Sequence, residues 1–279
     1  MLRVIARAMI LWDDVEPTSG WIDAQVPKVV QESLQSMAKA VKRKSEVGSA
    51  GQSDPALDVG DDVQQTQRRD RDIDRQAVRQ IHSFVVAGSC FGIGLRFAGT
   101  ADERAQAAIT ERVMTLNSYR DGNDSLSLAL RPDHTVVEMC LGLCALSLGM
   151  VMAGSGNLQC LRLFKLLRWR CDDTIRYGSH MAYSAAIGLL FLGGGTCTLG
   201  RSNQDIVALV AAFFPRFPAK TSDNLYHLQA LRHLYALAVH QRELQILDWD
   251  SRKKVAAEAE VSSFACYCNF ILVSRLPSS

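Results

Sequence analysis

Six histidines, eight cysteines and one glycine-rich run are the residues of this chain whose types could support chemistry. His82, His134, His180, His227, His233 and His240 are scattered. His233 and His240 stand seven apart, near one face if the segment is helical, but no carboxylate or cysteine completes a ligand set around them. The cysteines are Cys90, Cys140, Cys144, Cys160, Cys171, Cys197, Cys266 and Cys268. None forms a C-x-x-C pair, so the paired-cysteine spacing of a zinc site is absent. Most lie in apolar runs, where a reduced thiol acts as a small hydrophobe; that usage implies a cytosolic or nuclear compartment. Gly92-Ile93-Gly94 with Gly99 comes nearest to a dinucleotide fingerprint, but the spacing is G-x-G-x-x-x-x-G and no strand precedes it. No serine sits in a G-x-S-x-G elbow, and no paired carboxylates stand in an apolar setting. Arg162, Lys165, Arg168 and Arg170 cluster on one expected helix and read as a solvated face in preference to a phosphate or acidic-partner patch. These residues assign no catalytic group, no cofactor and no metal.

Composition narrows the classes further. Hydrophobic residues make up 48% of 279 and charged residues 22%, enough for a sizeable core. A net charge of +2 demands no polyanionic partner, and 7% aromatics leave few stacking surfaces for single-stranded nucleic acid. Arg3 and Arg7 interrupt the apolar N-terminal run and Trp12-Asp13-Asp14 follows it, so an amphipathic helix is expected there rather than a signal peptide.

The elements that would position these residues follow from apolar periodicity. Residues 1–42 form a helical segment, with Ile5, Met9, Ile10 and Leu11 as the first apolar stripe, a first helix ending at Pro17, a second starting at Thr18-Ser19-Gly20, and a break at Pro27. Residues 43–72 are polar and poor in large apolar side chains, and are expected to be a disordered linker. Residues 73–247 repeat, and 248–279 form an unassigned tail.

The repeat is carried by three runs of the form G-apolar-x-apolar-(small or apolar)-G: Gly94 to Gly99, Gly149 to Gly154 and Gly188 to Gly193. Each follows a stretch rich in Gly, Ala, Ser and Cys. The run starts lie 55 and 39 residues apart, the second a natural length for a two-helix unit and the first lengthened by a polar loop from Asn117 to Thr135. A fainter fourth copy is expected at Ala236–Val239. A second helix follows each turn, beginning at Thr100 or Asp102, at Ser155 or Asn157, and at the capping-box text Ser202-Asn203-Gln204-Asp205. The second of these carries Leu158, Leu161, Leu163, Phe164 and Leu167 as its expected apolar positions. Each unit is thus a small-residue helix, a glycine turn and a larger amphipathic helix. Small residues permit close helix approach, and the closing glycine can take the positive φ that ends a helix. The expected fold is an all-α solenoid of helical hairpins. Met139–Leu161 and Tyr177–Gly200 lack charged residues over more than twenty positions, which raises an integral-membrane alternative; turn residues at 154–157 and 193–195 interrupt both.

These hairpins resemble the proteasome/cyclosome repeat, which stacks into a toroid. AGSCFGIGLRFAGTA (87–101), HTVVEMCLGLCALSLGMVMAGSGNLQCLRLFKLLRWR (134–170), RYGSHMAYSAAIGLLFLGGGTCTLGRSNQDIVALVAAFFPRFP (176–218) and MILWDDVEPTSGWIDAQVPKVV (9–30) resemble the family of subunit 1 of the anaphase-promoting complex. The large proteasome-base subunits, which carry the same repeat, are the alternative. Family members are several times longer, so the chain resembles a fragment, and its tail from Ala256 departs from the family text. The resemblance implies a non-catalytic scaffold of a cell-cycle ubiquitin ligase, in nucleus and cytoplasm. Its implied partners are the other ligase subunits, with no nucleic acid, membrane or small-molecule ligand. Gly94, Gly99, Gly149, Gly154, Gly188 and Gly193 are the structural repeat glycines.

Overall fold

A computed structural model describes residues 1–47, 61–121, 131–172, 175–220, 222–223, 227–242, 247–248 and 273–274. The described residues are all-α apart from short strand pairs. Helices α1 (Leu2–Ile10), α2 (Ser19–Ala24) and α3 (Lys28–Val47) precede a long α4 (Asp61–Arg96). Three hairpin units follow from the C-terminal half of α4. The inner helices are α4, α6 (His134–Val151) and α8 (Tyr177–Leu190), and the outer helices are α5 (Glu103–Asp121), α7 (Leu158–Arg168) and α9 (Asn203–Ala212). The inner helices pack in chain order, α4 on α6 and α6 on α8, with α5 against α6 and α7 against α8.

Local chemistry sets the helix starts. The Thr18 hydroxyl accepts from the Trp21 amide at 3.2 Å and opens α2. Asp102 accepts from the Ala105 amide at 2.9 Å ahead of α5, and Asn157 accepts from Gln159 and Cys160 at 3.0 and 3.1 Å ahead of α7. Before α9, Ser202 and Asp205 complete the reciprocal capping box expected from their spacing.

Burial follows the same division. In α6 nearly every side chain from Val137 to Val151 is buried, and such a helix, apolar all round, belongs in a core. α6 is long and apolar enough to cross a membrane by length and composition. Its surroundings here are α4, α5 and α8, with Leu141, Leu143, Leu146 and Leu148 enclosed.

Several expectations change. Ile5 and Ala8 are the buried face of α1, whereas Met9, Ile10 and Leu11 are exposed, and the helix ends at Ile10 in a short 3₁₀ turn well before Pro17. The cause is that α1 lies flat on α4, where Gly88 and Gly92 seat Val4 and Ala8, so one narrow stripe suffices. The polar segment 43–72 is helical at both ends, since α3 runs to Val47 and α4 starts at Asp61; Gln and Arg are good helix formers even without an apolar face. Residues 48–60 lie outside the described residues, as does most of 248–279.

The fourth copy is incomplete. His227–Ala238 is a 3₁₀ helix, after which Val239–Gln241 (β2) pairs antiparallel with Cys197–Leu199 (β1). A second, parallel pair joins Leu247–Asp248 to Val273–Ser274. Arg232 fastens the 3₁₀ helix to the end of α9, donating to the carbonyls of Ala212 and Phe214 at 2.8 Å each and of Arg216 at 2.6 Å. Its guanidinium lies 4.1 Å from the Phe217 ring centroid, and burial pushes its pKa down to about 10.

Removing the cap by Ser202→Ala is expected to cost about 1 kcal/mol of unfolding free energy. The exposed neighbour change Gln204→Ala should stay within about 0.5 kcal/mol. Urea melts of both variants check this, and equal midpoints would contradict the capping role.

Candidate functional site: the glycine ladder

The three units are joined by two sets of contacts that recur from unit to unit. The first is a close approach between inner helices. A Cβ added at Gly94 would meet the Ser147 Cα at 2.9 Å and its Cβ at 3.0 Å; one added at Gly149 would meet the Ala186 Cα at 2.9 Å and its Cβ at 3.1 Å. Ser147 stands two before Gly149, and Ala186 two before Gly188, so each unit's glycine rests on the same position of the next unit. No larger side chain fits there without moving a backbone.

The second set is made by the turns. Gly99 and Gly154 both take φ +68°, conformations that side chains rarely adopt. The Gly99 amide donates to the Met150 carbonyl at 2.8 Å and the Ala101 amide to Val151 at 2.9 Å. One unit on, Gly154 donates to Leu189 at 2.8 Å and Gly156 to Leu190 at 3.0 Å. These bonds give carbonyls at the C-terminal ends of α6 and α8, in the last turn of each helix, a donor on the preceding unit's turn.

The third unit breaks the register. Gly193 takes φ +58° as expected, but it opens the Gly193–Gly195 turn into β1. The ladder bond is made instead by Gly200, whose amide donates to the Ala238 carbonyl at 2.8 Å. Nothing lies within 4 Å of a Cβ built at Gly188. Beyond it, Met181, Ala185 and Leu189 face Phe213, Phe217 and Tyr235 across a cavity of about 280 Å³. The strand pair seals the turns: Thr198 donates from its hydroxyl to the Gly99 carbonyl at 2.9 Å, and Arg242 donates to the Ala153 carbonyl at 2.8 Å.

The chemistry-bearing residues are dispersed over this frame. Cys90, Cys140, Cys144 and Cys160 are buried free thiols, Cys171 is exposed, and Cys197 is half-buried. Burial pushes Cys140 and Cys160 up to about 12, which keeps both protonated and unreactive. His82 is half-buried and its pKa is lowered by burial, with Asp23, Arg112 and Arg79 nearby. His233 lines the cavity and His240 lies in β2, so the chain leaves its helix between them and they share no helical face. His240 Nε2 sits 3.0 Å from Asp205 Oδ1. Burial alone would raise the Asp205 pKa, but bonds from His240 and Ser202 hold it below the usual carboxylate value. The Ser202 hydroxyl accepts from the Asp205 amide, and among the described residues no hydrogen bond joins Ser202 to His240. Among the described residues no three of His, Cys, Asp and Glu converge on a metal position.

One buried ionic group is not marked by the apolar periodicity. Glu138, in the apolar text of α6, is 1% exposed. It pairs with Arg120 of α5 and accepts from the Tyr183 hydroxyl of α8 at 3.0 Å; Arg120 also reaches Asp172. Burial pushes the Glu138 carboxyl above its ordinary value, and Arg120 opposes that shift. A lone carboxylate at the start of an apolar helix, with an arginine near the end of the preceding helix, was the available signal.

Residues 1–240 match the family model described as the APC1 fifth domain. The chain belongs to the anaphase-promoting complex subunit 1 family. It is 36% identical to anaphase-promoting complex subunit 1 of Mus musculus and 37% identical to that of Homo sapiens; both alignments cover 94% of this chain and 12% of the relative. It is 38% identical to the Arabidopsis thaliana protein of the same name, over 94% of this chain and 15% of that one. The chain therefore spans about an eighth of the length of these relatives, and the resemblance read from the glycine-turn text belongs to this family.

The ladder yields opposite outcomes for one substitution at two glycines of the same motif. Gly149→Ala should destabilise the chain by about 1–3 kcal/mol by forcing α6 from α8. Gly188→Ala should be neutral or stabilising by up to about 1 kcal/mol, because open space accepts the methyl and alanine favours helix. Thermal melts of the two variants decide it; a shared sign would contradict the ladder.

Proposed function

We propose that this chain is a non-catalytic scaffold segment of an anaphase-promoting-complex subunit. It holds neighbouring subunits in register so that the ligase transfers ubiquitin to regulators of mitosis, in nucleus and cytoplasm. The observation that carries the proposal is the ladder: three hairpins joined through backbone contact and turn hydrogen bonds transmit geometry from one unit to the next. The family relationship supports the choice of complex, and an Emericella nidulans relative, 34% identical, bears the name negative regulator of mitosis. The dispersed histidines, the protonated thiols and the Asp205-bound His240 support a role without bond chemistry.

The test uses a full-length family protein carrying the Gly149→Leu equivalent, scored for co-purifying subunits and for ubiquitin transfer. Both should fall together. Alanine substitutions of His82, His180, His233, His240 and the cysteines should leave transfer in step with assembly. A variant that assembles normally yet transfers nothing would overturn the scaffold reading.

A further inference from the structure

The outer helix α7 has two faces, of which only one is packed against other described residues. Cys160, Phe164 and Leu167 are buried. The opposite face exposes Leu158 at 58%, Leu166 at 53% and Trp169, which caps the helix, at 88%. Arg162, Lys165 and Arg168 are exposed among them, and α7 contains no acidic residue. None of these three cations has a carboxylate partner among the described residues, whereas Arg170 is engaged with Asn117. At about 100° per residue, Leu158, Arg162, Lys165, Leu166 and Trp169 fall within roughly a quarter-turn of arc, along a stripe about 16 Å long.

We propose that this stripe docks an acidic amphipathic helix of a partner protein. Three turns match its length. The cations call for Asp or Glu on the partner, and Leu158, Leu166 and Trp169 call for apolar side chains interleaved with them. A large aromatic with its ring exposed, beside cations that have no carboxylate partner among the described residues, is the composition of an interface anchor rather than of a solvated face. The interleaving favours a protein over a bilayer: a membrane-bound helix segregates its apolar residues to one side, and the segregated apolar side of α7 is already spent in the core. A nucleic acid would need a broader positive field and more than one stacking ring, and the chain carries a net charge of only +2. The inference goes beyond the scaffold reading and holds whichever assembly the chain enters.

The experiment places the photoreactive residue p-benzoylphenylalanine at position 166 of the full chain, expressed in its own cells. Irradiation is followed by sequencing of the cross-linked peptide. The expected product is one dominant adduct to a segment of another polypeptide with carboxylates and apolar residues at helical spacing. Arg162→Glu with Lys165→Glu should lower its yield by about tenfold, and raised salt should lower it several-fold. The same double substitution, on an exposed face, should leave the melting temperature unchanged, which separates lost docking from lost folding. No adduct, an adduct to a neutral or basic segment, an adduct to lipid or nucleic acid, or a yield indifferent to charge reversal would each overturn the proposal.

Discussion

Everything in this fold depends on how closely the inner helices approach. At Gly94 against Ser147, and at Gly149 against Ala186, there is no room for a single methyl group. That approach brings the end of each inner helix within hydrogen-bond reach of the preceding turn, so the amides of Gly99 and Gly154 can satisfy carbonyls on the next unit. Packing and polar satisfaction therefore rest on the same absent side chains. Enlarging one of them strains the contact and also pulls a buried carbonyl from its donor.

The contrast at the third unit shows what the contact accomplishes. Gly188 faces open space, the neighbouring segment winds as a 3₁₀ helix, and a cavity of about 280 Å³ lies between them. The turn contact survives only through Gly200, displaced by the Gly193–Gly195 turn and the β1 strand. A second coupling ties the outer helix α5 to the inner layer, where Glu138 joins α5 to α6 and, through Tyr183, to α8. A buried carboxylate is costly unless paired, so this group restricts how the three helices can sit relative to one another.

The hairpin pattern was legible because glycine at a helix end has one main physical use, and three copies of it stood at intelligible spacing. The helix starts near Thr18 and Ser202 were legible for a similar reason, and those at Asp102 and Asn157 only to within two candidates each (Thr100 or Asp102, Ser155 or Asn157): a short polar side chain ahead of an apolar period competes for orphan amides. The β1–β2 pair was not, because strands of three residues are too short to show alternation. The exposure of Ile10 and Leu158 was equally hidden. Periodicity names a helix's apolar residues, but which of them meets a neighbour is decided by where that neighbour crosses. Gly188 and Gly149 share one motif, and only the presence or absence of a packed helix beyond them tells them apart.

The units are coupled through the ladder rather than merely adjacent. Native-state hydrogen exchange tests it most directly, by following the amides of Gly99, Ala101, Gly154 and Gly156 in the wild-type chain and in Gly149→Ala. Slow exchange is expected at all four in the wild type and faster exchange at all four in the variant, because moving α6 loosens the turns on both sides. Fast exchange at these amides in the wild type, or acceleration confined to α6, would contradict it.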